Sequence, residues 1–417
     1  MVTRPLLTIS LIVTSMATAC SDSSVTKKEE VESTDVGDAD GDGDGDGDAD
    51  ADADGDGDAD ADADGGPEPD PGPFSTDWGQ WLSMAVMPDG SPAITFYDRD
   101  RGGIGFAIGN LESGTPEWSF EGVDGYPGSS GLDPGDRGTY TSLAIASDGT
   151  AWTSYYDIGA KNLRYAKRHP SLMAWTTGVA DTGDGMTKNA GFFSSIALNT
   201  EEQPVIAHHD QGAGTLRIAR WNGTEFVGSV FDRGDAFTPD TGTEEEAKDA
   251  NVGQFVRLRI INGIEHLAYY DAANGDLKFA VGSDISVVDT EGDVGQWPDF
   301  QKVGDTVHLV YHDVTNQNLK YAKGGPGAWD ITTIDTNPYT GADTALYFKD
   351  DKPGVIYFEG LSNDLKGATL EETGWDRRTL HTEGAVGFHN EVIQIGGKVY
   401  AACFDYTKRE VLFSEID

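Results

Sequence analysis

Seven carboxylates recur along the chain inside one repeated string: Asp98, Asp157, Asp210, Asp271, Asp313, Glu359 and Asp405. Carboxylates repeated in this way could ligate a metal ion or share a proton as acid–base partners. Six residues after each stands an aliphatic residue (Ile104, Leu163, Leu216, Leu277, Leu319, Leu365 and Val411), and three further on stands Ala or Ser (Ala107, Ala166, Ala219, Ala280, Ala322, Ala368 and Ser414). A side chain required in every copy is required by the architecture of the copy. An Asp at the mouth of a five-residue turn accepts backbone N–H groups there, so these seven are read as structural. Chemistry is to be sought where the copies differ. Where the first three copies place Ser83, Ser142 and Ser195, later ones place Arg257 and Arg259, Asp299 and Lys302, and Glu391 and Gln394. Polar side chains there are candidates for ligand contact.

The spacing that carries these residues is kept while the interval between copies varies from 42 residues (271 to 313) to 61 (210 to 271). Each copy reads as four strands. In the second, Leu143-Ala144-Ile145 is followed by an Asp148-Gly149 hairpin turn, then by strands over Thr150–Tyr156, Leu163–Lys167 and Trp175–Val179. No helical periodicity of useful length interrupts them. Seven such units imply an all-β fold: a seven-bladed β-propeller of four-stranded antiparallel blades, preceded by a disordered acidic linker. The last copy ends at Asp417 directly after its third strand, so Pro73 to Asp77 is expected to supply the missing one and close the ring.

The pairs before each anchor carboxylate (Phe96-Tyr97, Tyr155-Tyr156, His208-His209, Tyr269-Tyr270, Tyr311-His312, Tyr357-Phe358 and Cys403-Phe404) point to alternate faces of their strand and are expected to pack between blades. His209 and His312 share that aromatic slot two blades apart, which suits core histidines better than ligands of one metal. The connections between blades vary most: Asp124 to Thr139, Ala180 to Gly191, and Asp232 to Val252 with its Glu244-Glu245-Glu246 run. They should share one face with the turns after the anchor carboxylates. Tyr140, Trp297 and Trp329 could stack on sugars if the domain were a lectin with related sites between blades.

The Ser147-Asp148-Gly149-Thr150-Ala151-Trp152 turn resembles the Asp-box of sialidase-like bacterial propellers. The resemblance covers the blade pattern only and implies a propeller; a glycosidase activity would also need the family's Phe-Arg-Ile-Pro element, arginine triad and Tyr–Glu pair, which do not assemble from this sequence. Gly-x-Ser-x-Gly, His-Glu-x-x-His, phosphate-binding glycine loops and zinc-spaced Cys/His clusters are absent from the sequence.

The N-terminus carries a different message. Arg4, the apolar run Leu6 to Val13 and the small residues Ala17-Thr18-Ala19 have the layout of a secretory signal over residues 1–19. Together with Cys20 this resembles the lipobox of bacterial lipoproteins, with Ala17 where that family usually has Leu. The resemblance implies lipidation of Cys20, and Ser21 after it implies the outer membrane or cell surface. Cysteine usage agrees, because the chain has only Cys20 and Cys403, and the latter sits in an apolar strand.

Residues 20–72 form an Asp/Gly/Ala-rich tether, in which every second residue from Asp38 to Asp64 is Asp. Such a stretch has nothing to bury and repels itself. Its contour from Cys20 to Phe74 is roughly 180 Å at full extension. Residues 1–73 hold 21 acidic and 3 basic side chains, a net of −18; of the total of −43, −25 therefore remains for the propeller of residues 73–417. Nucleic acid is excluded as a partner on charge alone. The tether lacks the flanking helices and closing Glu of an EF-hand, so weak, diffuse Ca2+ association with it or with the loops is the most it implies, and no cofactor is expected. The combined expectation is a monomeric, exported, lipid-anchored binding or scaffold protein that contacts a protein or glycan through the loop face of its propeller. A propeller lectin and a sialidase-like hydrolase are the alternatives.

Overall fold

Runs such as Ala151-Trp152-Thr153-Ser154-Tyr155-Tyr156-Asp157, rich in β-branched and aromatic residues and cut by tight polar turns, form strands because such side chains fill a pleated, half-buried surface. Turn chemistry sets their register. Ile261 pairs with Ile264 across Asn262 and Gly263, both at positive φ, the two-residue turn whose twist matches that of the flanking strands. In this computed structural model, which describes residues 77–112, 116–126, 135–184, 187–234 and 250–417, the strands assemble into seven antiparallel sheets, each in sequential order. Among the described residues there is no helix.

The inner strands are Trp78–Val86, Arg137–Ile145, Ala190–Leu198, Val252–Ile261, Val294–Val303, Thr340–Lys349 and Phe388–Ile395. The second strand of every blade ends on its anchor carboxylate: Pro92–Asp98, Ala151–Asp157, Pro204–Asp210, Ile264–Asp271, Thr306–Asp313, Lys352–Glu359 and Lys398–Asp405. Third strands and outer strands follow, the outer ones half-exposed. Apolar clusters lie between blades. One joins Leu82, Met84, Ile94 and Phe96 of the first blade to Ile393 and Ala402 of the seventh, and so closes the ring.

Among the described residues six sheets have four strands and the seventh has three, Phe388–Ile395, Lys398–Asp405 and Glu410–Glu415. Of the expected closing segment, residues 73–76 lie outside the described residues, while Asp77 forms a bend ahead of the first strand and accepts the Arg99 N–H on its carbonyl. Among the described residues, blades seven and one meet through the Trp78 N–H donated to the Arg409 carbonyl at 3.2 Å and through packed side chains, including Trp118 edge-on to Phe413 with ring centroids 5.5 Å apart. The signal, the tether and Cys20 also fall outside the described residues.

Candidate functional site

The seven anchor carboxylates all act on the turns that follow them. Oδ1 of Asp157 accepts the Ala160 N–H at 2.8 Å, Oδ1 of Asp313 that of Asn316 at 2.9 Å, and Glu359 those of Leu361 and Ser362 at 2.9 and 3.2 Å. Asp98, Asp210, Asp271 and Asp405 do the same. These turns bond to the connections between blades: Arg137 N–H donates to Gly102, Val252 N–H to Gly214 and Val294 N–H to Gly275. Turns and connections therefore share one face. Glu244-Glu245-Glu246 lies outside the described residues.

A second repeated device, not recognised in the sequence, joins neighbouring blades. The first residue of each aromatic pair donates to an Asp at the end of the preceding blade's outer strand: Tyr155 to Asp124 (2.6 Å), Tyr269 to Asp232 (2.9 Å), Tyr311 to Asp289 (2.7 Å) and Tyr357 to Asp335 (2.8 Å), with His208 Nε2 3.2 Å from Asp181. A buried cation seven residues after the anchor completes four of these sets: Arg164 on Asp124 (3.1 Å), Arg217 on Asp181 (2.9 Å), Lys278 near Asp232 (3.5 Å) and Lys320 on Asp289 (2.8 Å). At the fifth, Arg377 meets Asp335 at 2.7 Å while Lys366 turns to Glu359 at 3.7 Å. Burial alone would raise the Asp181 carboxyl, but hydrogen bonds from His208 and Arg217 hold it well below the usual carboxylate range. Where blade seven meets its neighbours the hydroxyl and the cation are both missing among the described residues: Cys403 and Leu412 stand in their place on blade seven, and Phe96 and Gly105 on blade one. The constant polar residues are thus committed to joining blades.

The inner strands carry a third repeat. Each opens with Gly, any residue, then a residue at positive φ: Trp81, Tyr140, Phe193, Phe255, Trp297, Asp343 and His389, with φ from 47° to 55°. The pairing register slips at this point in all seven. A bulge of this kind re-aims a side chain, and the left-handed conformation costs a non-glycine residue about 1–2 kcal/mol, so neighbouring structure must impose it. The glycine explains how. A Cβ at Gly253 would stand 2.6 Å from Leu216 Cβ, at Gly295 2.8 Å from Leu277, and at Gly191 2.9 Å from Leu163. The aliphatic residue six places after the anchor therefore buttresses the next blade's bulge, and Val411 does this for Gly79 across the ring closure.

The bulged residues form a collar round the axis at the loop-face end, close to the anchor turns. Ring centroids are 4.1 Å apart for Trp81–Tyr140, 4.9 Å for Tyr140–Phe193, 4.5 Å for Phe193–Phe255, 4.7 Å for Phe255–Trp297 and 4.7 Å for Trp81–His389. Asp343 is the one member without a ring. Hydroxyl and amide side chains bind the collar backbone blade to blade, Ser194 to the Tyr140 carbonyl, Thr344 to that of Trp297 and Asn390 to that of Asp343. Burial pushes the Asp343 carboxyl up to about 7 and holds His389 down at about 4, a neutral imidazole at neutral pH.

Two residues deeper, Ser83, Ser142 and Ser195 accept the N–H of Leu143, Ile196 and Leu258 on the next inner strand, and Asp299 accepts that of Leu346. Arg257 stands at the same level in blade four and reaches across the channel to Glu391 of blade seven at 3.0 Å, with Asp299 3.6 Å away. Arg259 donates to Asp299 at 2.8 Å and to the Phe300 carbonyl at 2.6 Å. Although burial works against its charge, Arg257 is held above its ordinary value by Glu391 and Asp299; burial raises Glu391 in turn.

The structure thus brings Arg257, Arg259, Asp299, Glu391, Tyr140 and Trp297 together at the channel. It does not bring Lys302, which stands three residues beyond Asp299, pairs with Val307 and bears on His266 of the preceding blade. Gln394 likewise turns to the Phe348 carbonyl. Trp329 lies on the outer strand Ala328–Asp335, edge-on to Phe279 at 5.6 Å, far along the blade from the collar. The aromatic residues named for sugar stacking therefore form one collar and a packing contact, and not a set of related sites between blades. His209 and His312 are buried with values near 4; His209 Nδ1 donates to the Val252 carbonyl and His312 Nδ1 makes no hydrogen bond. Among the described residues no group of three or more His, Cys, Asp or Glu could hold a metal.

No family model matches the chain, and no curated protein matches it in sequence. Solved structures share its shape. The polysaccharide lyase Uly1 superposes with a TM-score of 0.51 at 12% identity, covering 80% of this chain and 89% of its own. The protein YCF48 from Cyanidioschyzon merolae gives 0.49 at 9% identity, covering 82% and 98%. A mutant of AofleA from Arthrobotrys oligospora gives 0.42 at 13%, covering 66% and 86%. At such identities the likeness is one of fold alone. The class defined here is the seven-bladed β-propeller.

Proposed function

We propose that the chain is an exported, lipid-anchored binding or scaffold protein that meets a protein or glycan through the loop face of its propeller. The observation that supports this reading is how the polar residues are spent. Anchor carboxylates close turns and buried Asp–cation sets join blades, while the connections on the loop face differ from blade to blade in length and charge. Exposed loops held on a rigid scaffold are where recognition residues concentrate. The fold it shares with a polysaccharide lyase keeps glycans among the partners to be tried.

A glycan array and a pull-down from surface extracts, both with the full chain, test the proposal. Binding that is lost when the connection 235–249 is replaced by a short Gly/Ser linker supports it. Binding unaffected by changes to any loop-face connection refutes it. For the hydrolase alternative, Arg257 would need a free guanidinium for a substrate carboxylate, and its charge is already matched by Glu391 and Asp299. Turnover of a fluorogenic sialoside that disappears in Arg257→Ala would overturn the non-catalytic reading.

A further inference from the structure

Asp343 occupies the one collar position that is not a ring. It sits at the same bulge as the six aromatic residues, between Trp297 on one side and His389 on the other, with the same positive φ of 50°. Trp81, Phe255, Trp297, His389 and Asp343 each keep part of their surface open to solvent, while Tyr140 and Phe193 are buried. A carboxylate set among aromatic faces is a chemical match for one ligand class. Ring quadrupoles present negative charge on their faces, and a cation within about 6 Å of a ring centroid is attracted to them.

The nearby charges leave room for such a guest. The channel groups Arg257 and Arg259 face three carboxyl groups, those of Asp299, Asp343 and Glu391. Both guanidiniums bond to Asp299 or Glu391, while Asp343 accepts the His389 backbone N–H and is raised by burial to about 7, so a cation seated beside it would draw off its proton. The imidazole of His389 is neutral and adds no repulsion. A neutral sugar fits less well, since its hydroxyls need several hydrogen-bond partners and the collar offers mainly π faces.

We propose that the collar is a binding site for a small organic cation, an alkylated ammonium group seated against Asp343 and the faces of Trp297, Trp81 and Phe255. This site is separate from the loop-face contact proposed above and does not depend on it. The full chain would be titrated calorimetrically with choline, with tetramethylammonium and with 3,3-dimethylbutan-1-ol, the uncharged isostere of choline, at constant chloride. Quenching of tryptophan emission provides a second readout, because Trp81 and Trp297 line the site.

The expected result is saturable one-to-one binding of both cations, about ten-fold tighter than the isostere, a difference of about 1.4 kcal/mol from cation–π and charge contact. Asp343→Asn, which keeps shape and removes charge, should weaken choline about ten-fold, and Trp297→Leu should weaken it with Asp343 intact. Three results would each overturn the proposal: no saturable binding of either cation, equal binding of the isostere, or undiminished choline binding by an Asp343→Asn protein that melts as the parent does.

Discussion

Replacing Lys320 with Leu removes the cation from a buried set in which its ammonium lies 2.8 Å from Asp289 and 3.3 Å from Asp313, while Tyr311 donates to Asp289 at 2.7 Å. The side chains of Asp289 and Asp313 are only 5% and 1% exposed, so water cannot take over the missing partner. Breaking one side of such a pair costs about 3–5 kcal/mol, because the remaining charge stays desolvated. For a propeller of about 340 residues, an unfolding entropy near 2.1 cal/mol/K per residue makes each kcal/mol worth about 1.4 °C, so the melting temperature should fall by about 4–7 °C.

The protein supplies its own control. At the interface between blades six and seven the hydroxyl and cation positions hold Cys403 and Leu412, and the outer strand ends on His381 in place of Asp. The triple change Tyr311→Phe, Asp289→Leu, Lys320→Leu removes hydroxyl, carboxylate and cation together and leaves Asp313 its turn contacts to Asn316, so it should recover part of what Lys320→Leu alone loses. Melting followed by circular dichroism at pH 7, in low and high salt, measures both; a buried set should respond little to salt. A shift below about 1 °C for the single change, or a triple variant less stable than the single one, would refute the reasoning.

Three further expectations follow from the same physics. Burial holds His312 near 4, below the 6.5 of an unfolded imidazole, so the unfolded chain takes up the proton first and stability is lost as pH falls from about 6.5 towards 4, by up to about 3 kcal/mol. His312→Phe, which installs the side chain that blades six and seven already carry as Phe358 and Phe404, should therefore raise the melting temperature more at pH 5 than at pH 8; equal shifts would contradict it. The Cys403 thiol, pushed up to about 12 by burial, should resist alkylation in the native protein and react at the denatured rate only after unfolding; prompt native labelling would count against its core placement. Cys20→Ser should move the protein from the membrane to the soluble fraction with no change in melting temperature, and continued membrane association would contradict a lipid anchor at that residue.

The blade was legible in the sequence because its determinants are local. Strand alternation, the Asp148-Gly149 turn and the spacing from anchor carboxylate to aliphatic residue all operate within about ten residues, where hydrogen bonding and side-chain alternation impose fixed periods. The Gly-x-ring start of six of the seven inner strands was equally present in the sequence, as in Gly138-Thr139-Tyr140 and Gly295-Gln296-Trp297. Its meaning was not, since the glycine is explained by a leucine, isoleucine or valine of the preceding blade and the aromatic residue by its counterparts round the axis. The cation seven residues after the anchor was hidden for the same reason, because its carboxylate partner sits at a variable distance on another sheet.

Ring closure alone decided the centre of the molecule. Arg257 and Glu391, 134 residues apart, become an ion pair because blades four and seven face one another across the channel. Lys302, only three residues from Asp299, is excluded because successive residues of a strand point to opposite faces. Composition and repeat spacing determine a seven-bladed β fold, since each blade satisfies its own backbone. Which side chains meet at the axis depends on seven blades closing with one twist, a property that no single repeat contains.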